Sequence, residues 1–426
     1  VLPKTYLASD HDIDSRLIDE DALYVIETLR NAGHKAYLVG GSVRDLLTKK
    51  TPKDFDISTS AKPEEIKALF QRRCLLIGRR FRLAHIRFGH KVIEVATFRS
   101  GDTDSQDLIT HDNRWGTEEE DVMRRDFTIN GLFYDPSSHI VIDYVGGWED
   151  TRKGILRSIG DPLNRFRQDP VRMIRILKFI ARLGFKMSKD CADALQACKT
   201  EIVKSSPSRL LEEVLKMMES GFSFEFFKLL SAFGILELIF PDLYRFLKTK
   251  KGDEVYHYLR IIDQVHRKHP KAPLDRSILV SCLLYPALEQ EIENEYIAKG
   301  TKPHLGQIIF ASTDVIKNLI THSFSHFPRR LTHLASYILS TQYRFTPLTG
   351  KRHAKPKFTS HKEFPLALTF FKLRAVFNPT LTETYESWKK FHQQKTRPAR
   401  GAHHPPPKRR QATDEESTVP EKEAIS

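Results

Sequence analysis

Two aspartates separated by one residue, Asp54 and Asp56, follow a Gly-Gly turn within the stretch LVGGSVRDLLTKKTPKDFDI at positions 38–57. Residues i and i+2 of a strand share a face, and Asp54-Phe55-Asp56-Ile57 alternates polar and apolar. A half-buried strand presenting both carboxylates together is therefore expected. Such a pair can share one or two Mg2+ ions instead of repelling, which is the arrangement of two-metal phosphoryl transfer. Just upstream, the apolar run at 36–39 predicts a buried strand that Gly40 and Gly41 break. Ser42 is the candidate N-cap of a helix over 43–48, whose free N–H groups and positive dipole end suit phosphate oxygens. Arg44 adds a fork-shaped donor in its first turn. Gly-Gly before an arginine is weak alone, and Asp-x-Asp alone often marks a solvated strand edge. The order strand, Gly-Gly, helix, strand is what points to a nucleoside triphosphate.

Three further segments could complete such a site. Glu94 sits inside the apolar run VIEVATFR, where a carboxylate is costly to bury without a cation. It is either a third carboxylate that helps accept the proton of an attacking hydroxyl, or an edge residue paired with Arg99 or Arg82. In EEEDVMRRDFTIN (118–130), Arg125, Asp126, Thr128 and Asn130 mix phosphate-type donors with an acceptor suited to a ribose hydroxyl; a surface ion-pair cluster is the plainer reading. In RFRQDPVRMIRILK (165–178), Asp169 is expected to cap a helix begun by Pro170, so Arg172, Arg175 and Lys178 recur along one face. Asp169 and Arg172 then form an acceptor–donor pair able to meet a base edge; a solvated basic stripe is the alternative. The arginines of LLIGRRFRLAHIRF (75–88), Arg79, Arg80, Arg82 and Arg87, interleave with Phe81 and His85. They could track an RNA backbone or the triphosphate, or form an ordinary basic hairpin.

The elements that position these residues divide the chain. Over 36–144 short strands alternate with a few helices: a helix over 62–72 begun by Pro63, then strands at 75–77, 84–88 and 92–98. An acidic arm leads into a helix over 19–32 that Gly33 closes, and the polar stretch 103–115 is expected to be a loop. From Pro170 the pattern is helical, with apolar residues three and four apart over 171–183, 189–198, 208–219, 223–233 and onward, punctuated by glycine and proline. The expected division is an arm and helix at 1–35, a catalytic sheet domain at 36–147, a helical neck at 148–220, a helical body at 221–392, and an unstructured basic then acidic tail at 393–426. The fold class is α+β.

At 426 residues the chain is long enough for two or three cores, and its formal charge of +14 favours polyanionic partners, nucleic acid first. No apolar run approaches the ~18–20 residues of a membrane span. Four cysteines without metal-ligand spacing, and a start lacking the basic and apolar character of a secretory signal, point to reduced core thiols and a cytoplasmic location. A monomer is expected.

Taken together, LVGGSVRDLL, DFDIST, VIEVATFR, RRDFTINGLFYD, DYVGGWEDTRKGILR, DPVRMIRILKFIARLGF and PSRLLEEVLK resemble the class II nucleotidyltransferases, which comprise bacterial poly(A) polymerases and tRNA CCA-adding enzymes. The resemblance covers about residues 36–220. Within the family, LLIGRRFRLAHIRFG and the basic C-terminal tail are similar to the poly(A) polymerase branch. The resemblance implies a nucleotidyltransferase palm with a small mixed β-sheet, followed by an all-α neck and body. It implies Asp54 and Asp56 as Mg2+ ligands, Gly41 and Arg44 at the triphosphate, and Asp126 completing the active site; Gly40, Ser42 and Glu94 are candidates from the turn, cap and strand readings above. Arg125 would contact the nucleotide, with Asn130 a further candidate from the segment's own residues, and Asp169 and Arg172 would read the base with Arg175 nearby. The implied activity is template-independent transfer of AMP from ATP to RNA 3′ ends, an activity tied to mRNA turnover; CCA addition to tRNA is the alternative. One departure stands out: Gln168 occupies the position where the family usually has Glu, which puts the geometry of base selection in question.

Overall fold

The computed structural model describes residues 2–78, 82–101, 114–321, 324, 327–348 and 358–396. The expectations for Arg79, Arg80 and Phe81, for 103–113 and for the tail from 397 lie outside them; Arg114–Trp115, expected as loop, pairs as a short strand, and 393–396, expected as unstructured tail, continue the helix Thr382–Thr396. In the first part the elements run β1 (Lys4–Tyr6), α1 (Glu20–Asn31), β2 (Ala36–Val39), α2 (Gly41–Leu47), β3 (Asp56–Thr59), α3 (Pro63–Phe70), β4 (Cys74–Ile77), β5 (Leu83–Phe88) and β6 (Lys91–Thr97). There follow β7 (Arg99–Ser100), β8 (Arg114–Trp115), α4 (Glu118–Met123), β9 (Leu132–Asp135) and β10 (Ile140–Asp143).

Eight strands form one mixed sheet in the order β1-β10-β9-β2-β3-β6-β5-β4. Its one parallel pair is β3 with β6, which sets Asp56 beside Glu94. The acidic arm contributes the edge strand β1 by pairing with β10, so it is built into the sheet. Alternation dictates the faces. Ile57, Ala84, Ile86, Ile93 and Val95 point to one side and pack with Ala22, Val25, Ile26 and Leu29 of α1 and Ile66 and Phe70 of α3. Helix α1 starts where expected, Asp19 accepting from the N–H of Asp21 at 2.9 Å. On the other face Val122 of α4 covers Val39, Phe98 and Phe133.

The second part is helical: α5 (Gly147–Lys153), α6 (Pro162–Gln168), α7 (Val171–Leu183), α8 (Lys189–Cys198), α9 (Pro207–Met218) and α10 (Ser223–Ala232), then longer helices such as Asp253–Lys268, Arg276–Ile292 and Arg329–Phe345. Helix α7 carries Met173, Ile174, Ile176 and Leu177 into the helical core and ends at Gly184, which adopts φ 73°. A Cβ on Gly147 would stand 2.1 Å from the carbonyl oxygen of Thr128, so a bare backbone is needed where α5 docks on the palm. All four cysteines are buried free thiols. Among the described residues no helix is long and apolar enough to cross a membrane.

Candidate active site

A cleft of about 430 Å3 opens where α2, the 124–130 segment and α7 meet. Ten of the residues expected at the site line it: Gly40, Gly41, Arg44, Asp56, Arg125, Asp126, Asn130, Asp169, Arg172 and Arg175. Arg124, Lys178, Phe179 and Arg182 join them. Ser42, Asp54 and Glu94 are not part of its wall.

Those three differ from expectation for local reasons. Helix α2 begins at Gly41 with Gly40 as its N-cap, at φ 68°, a conformation that suits glycine. Ser42 lies inside the first turn and is buried; its hydroxyl donates back to the carbonyl of Val39 at 3.0 Å, so it neither caps the helix nor faces a ligand. Strand β3 begins at Asp56, leaving Asp54 in the irregular segment before it. The alternation nevertheless extends back, with Asp54 exposed, Phe55 buried and Asp56 exposed. Glu94 is half exposed and faces neither Arg99 nor Arg82: His85 Nε2 lies 3.3 Å from its Oε1, while Arg82 pairs with Glu64.

Asp56 is open to water along the cleft but walled in by protein behind. Burial, then the carboxylates of Glu94 and Asp54, push its carboxyl up to about 6 against the pull of Arg125. This is a carboxylate short of positive charge.

The remaining wall is a relay of charges. Arg44 donates to Asp45 Oδ1 at 2.7 Å and to Asn130 Oδ1 at 2.8 Å. The Asn130 amide then donates to Asp126 Oδ1 at 3.1 Å, an oxygen that also accepts from the N–H of Phe127. The other oxygen, Oδ2, takes Arg175 at 2.6 Å. Burial opposes the charge on Asp126, but Arg175 and Asn130 outweigh it and hold the carboxyl well below the usual range. Both Asp126 oxygens are thus engaged by protein, and Asn130 is used at both ends of its amide. Thr128 turns away to Asp150. Arg175 and Lys178 also reach Glu213 on α9, tying the two neck helices together, while the Arg175–Asp126 pair joins the neck to the palm.

Arg125 is aimed by Asp121, fully buried in α4, at 2.8 Å, and donates to Ser58 Oγ at 3.0 Å. Burial works against the charge of Asp121 too, yet Arg125 and Arg124 hold its carboxyl below the ordinary value. The spacing of Asp121 to Arg124 and Arg125 was the available signal, since i,i+3 and i,i+4 pairs meet on a helix. It was hidden by the acidic run that precedes it. Glu213 has no comparable signal, its partners being long-range.

Asp169 ends α6 instead of capping α7, whose N-cap is Pro170 without a side-chain bond. Its carboxylate accepts both Nη atoms of Arg209, on α9, at 3.0 and 2.9 Å. Arg172 is buried and donates to the carbonyls of Arg124 and Arg125 at 3.0 and 3.3 Å, with Asp169 3.9 Å from its Nε. Gln168 is buried outside the cleft, accepting from Arg165 at 3.0 Å.

A mixed sheet carrying Asp56 beside a cation-lined cleft, with a helical neck closing the far wall, defines a nucleotidyltransferase. Residues 36–157 match the profile described as the poly A polymerase head domain. Residues 184–247 match a probable RNA and SrmB-binding site of polymerase A, and 303–422 a polymerase A arginine-rich C-terminus. Poly(A) polymerase I of Escherichia coli O6:H1 is 40% identical over 402 residues, covering 89% of this chain and 84% of the relative. A CCA-adding enzyme of Lactobacillus helveticus is 39% identical over 198 residues, 46% of this chain and 49% of its own. Among solved structures, apo form II of a CCA-adding enzyme superposes with a TM-score of 0.59 at 18% identity, covering 92% of this chain and 86% of that one. The chain belongs to the poly(A) polymerase I family.

Proposed function

We infer that this protein is a polynucleotide adenylyltransferase that transfers AMP from ATP to RNA 3′ ends without a template. The bond formed joins the primer 3′ oxygen to the α-phosphorus, and the bond broken releases pyrophosphate. The observation that carries the reading is the cleft itself: seven cationic side chains against three carboxylates, one of them Asp56. That balance suits a triphosphate.

The residues present fit Mg2+. Burial raises the Asp56 carboxyl, and Glu94 and Asp54 add to the rise against the pull of Arg125. Among the described residues no group of three or more His, Cys, Asp or Glu is placed to hold a metal. Mg2+ usually takes only one or two carboxylates and draws further ligands from substrate phosphates. Two Mg2+ ions held by Asp54, Asp56 and ATP would supply an easier-to-ionise primer hydroxyl and neutralise charge on the departing pyrophosphate.

The chain's own groups do the rest. The Gly40–Gly41 turn offers backbone N–H groups and close approach to the triphosphate. Arg44 and Arg125, fixed by Asp45 and Asp121, donate to it without reorganising. Asp126 and Asn130 act as positioning residues for Arg44 and Arg175, and Glu94 stands beside Asp56. Asp169 and Arg172 offer the acceptor and donor for the adenine edge. Each Asp169 oxygen keeps a second lone pair while Arg209 fixes its plane. Gln168 acts on this geometry through Arg165. The helical half holds RNA through phosphate contacts, and a monomer in the cytoplasm is the proposed setting.

The test is incubation of purified protein with an unstructured RNA primer and all four nucleoside triphosphates. Long A tracts are expected, abolished by Asp54→Ala and by Asp56→Ala. Addition that stops after CCA on tRNA would establish the alternative, and nucleotide incorporation surviving Asp54→Ala would remove the carboxylate assignment.

A further inference from the structure

The sheet face that carries Asp56 is covered beside β2 and β9 but lies open along β4–β6. Register places Asp56 beside Glu94, Glu94 opposite His85 and His85 opposite Leu75, a row of side chains crossing four strands on one face. On that same face Val92 is opposite Arg87 and Ile77 opposite Leu83. The alternate positions are the ones buried under α1 and α3. Leu75, Ile77 and Val92 therefore remain 43%, 40% and 41% exposed. Arg87 between them is exposed, and among the described residues it makes no ion pair. Large apolar side chains gathered on one open sheet face mark a contact surface.

We propose that this open face of β4–β6 is the platform on which the last nucleotides of the RNA primer lie as their 3′ end enters beside Asp56. The assignment rests on the adenylyltransferase reading. Continuity argues for RNA: the row starts at a cleft-lining carboxylate, where the primer terminus must be, and runs directly away from it. Strands lie ~4.8 Å apart, so three steps from β3 to β4 span roughly 14 Å. At ~3.4 Å per stacked nucleotide that accommodates about four. Chemistry agrees, because covering base faces with an aliphatic floor is non-directional and needs no sequence readout, while Arg87 supplies a cation for a phosphate. His85 completes the row by holding Glu94 at 3.3 Å.

The test combines steady-state kinetics with photocross-linking. Leu75→Asp with Val92→Asp, and separately Arg87→Glu, change only exposed positions, and thermal melts check folding. The expected result is a KM for unstructured RNA raised at least about tenfold, equivalent to ~1.4 kcal/mol of primer binding, with KM for ATP near wild type. A primer carrying 4-thiouridine three nucleotides from its end should cross-link wild-type protein within 74–92. Unchanged RNA KM with cross-links confined to the helical half overturns the platform. So does a variant that alters only self-association in sedimentation, which would give the face to a second copy. Wild-type protein that adenylates no RNA would sink the polymerase reading separately, and the cross-link would still score the platform.

Discussion

Asp126 shows how heavily one carboxylate in the cleft wall is engaged by protein. Its two oxygens hold Arg175, Asn130 and the N–H of Phe127, and it sits at the junction of palm and neck. Removing its charge leaves Arg175, about a third exposed, with Glu213 alone, a change that costs on the order of 2 kcal/mol once solvent screening is allowed for. Asp126→Asn should therefore lower the urea unfolding free energy by about that amount at pH 7. The folded carboxyl lies below its unfolded value, so its contribution is complete above ~3.9 and disappears as pH falls through the folded value. The gap between wild type and Asp126→Asn should be constant at neutral pH and shrink below about pH 4. A gap that grows on acidification would contradict the pairing. Asp56 has the opposite character, raised to about 6 by burial and by neighbouring acids. One carboxylate is paired with cations of the protein, the other is not.

At the scale of elements, α7 and α9 work as a unit. Helix α7 presents Arg172, Arg175, Lys178 and Arg182 to the cleft, and α9 supplies Glu213 and Arg209 to aim them and Asp169. Arg209 is largely exposed, so its loss should cost less than about 1 kcal/mol in stability. Its effect on selection should be larger. With Asp169 released from its bidentate partner, Arg209→Ala is expected to reduce discrimination of ATP over CTP by roughly tenfold, equivalent to ~1.4 kcal/mol in the transition state. Competing single-nucleotide incorporation assays measure it. Unchanged selectivity would mean that Asp169 does not read the base, or that Arg209 does not orient it.

For the whole molecule, the charge of +14 predicts a grip on RNA dominated by phosphate contacts. Single-strand binding weakens with a log–log salt slope of about −0.7 per phosphate, so a footprint of about five phosphates gives roughly −3.5. Fluorescence anisotropy across salt concentrations checks this with primers of different base composition. A slope near zero, or strong dependence on sequence, would contradict phosphate-dominated binding.

The helices of the neck, α7 and α8, were legible to the residue, because their apolar periodicity is local and Gly184 ends α7. The cleft was legible in its ingredients: Gly40, Arg44, Asp56, Arg125 and Arg172 were all named by type and spacing. Finer local geometry was less accessible. Ser42 and Asp169 look like caps, but Gly40 and Pro170 take those places, and Asp54 falls just before its strand.

What the amino-acid order determined alone was which groups share a face and which chemistry they can perform, since side-chain direction follows from helix and strand periods. What only the tertiary structure decided was how the charges are paired. Asp169 meets Arg209, Asp126 meets Arg175, and Glu94 comes beside Asp56 through the parallel pairing of β3 with β6. These partners are distant in sequence, and an ion pair depends on separations that chain spacing does not encode, so packing had to choose among many available cations.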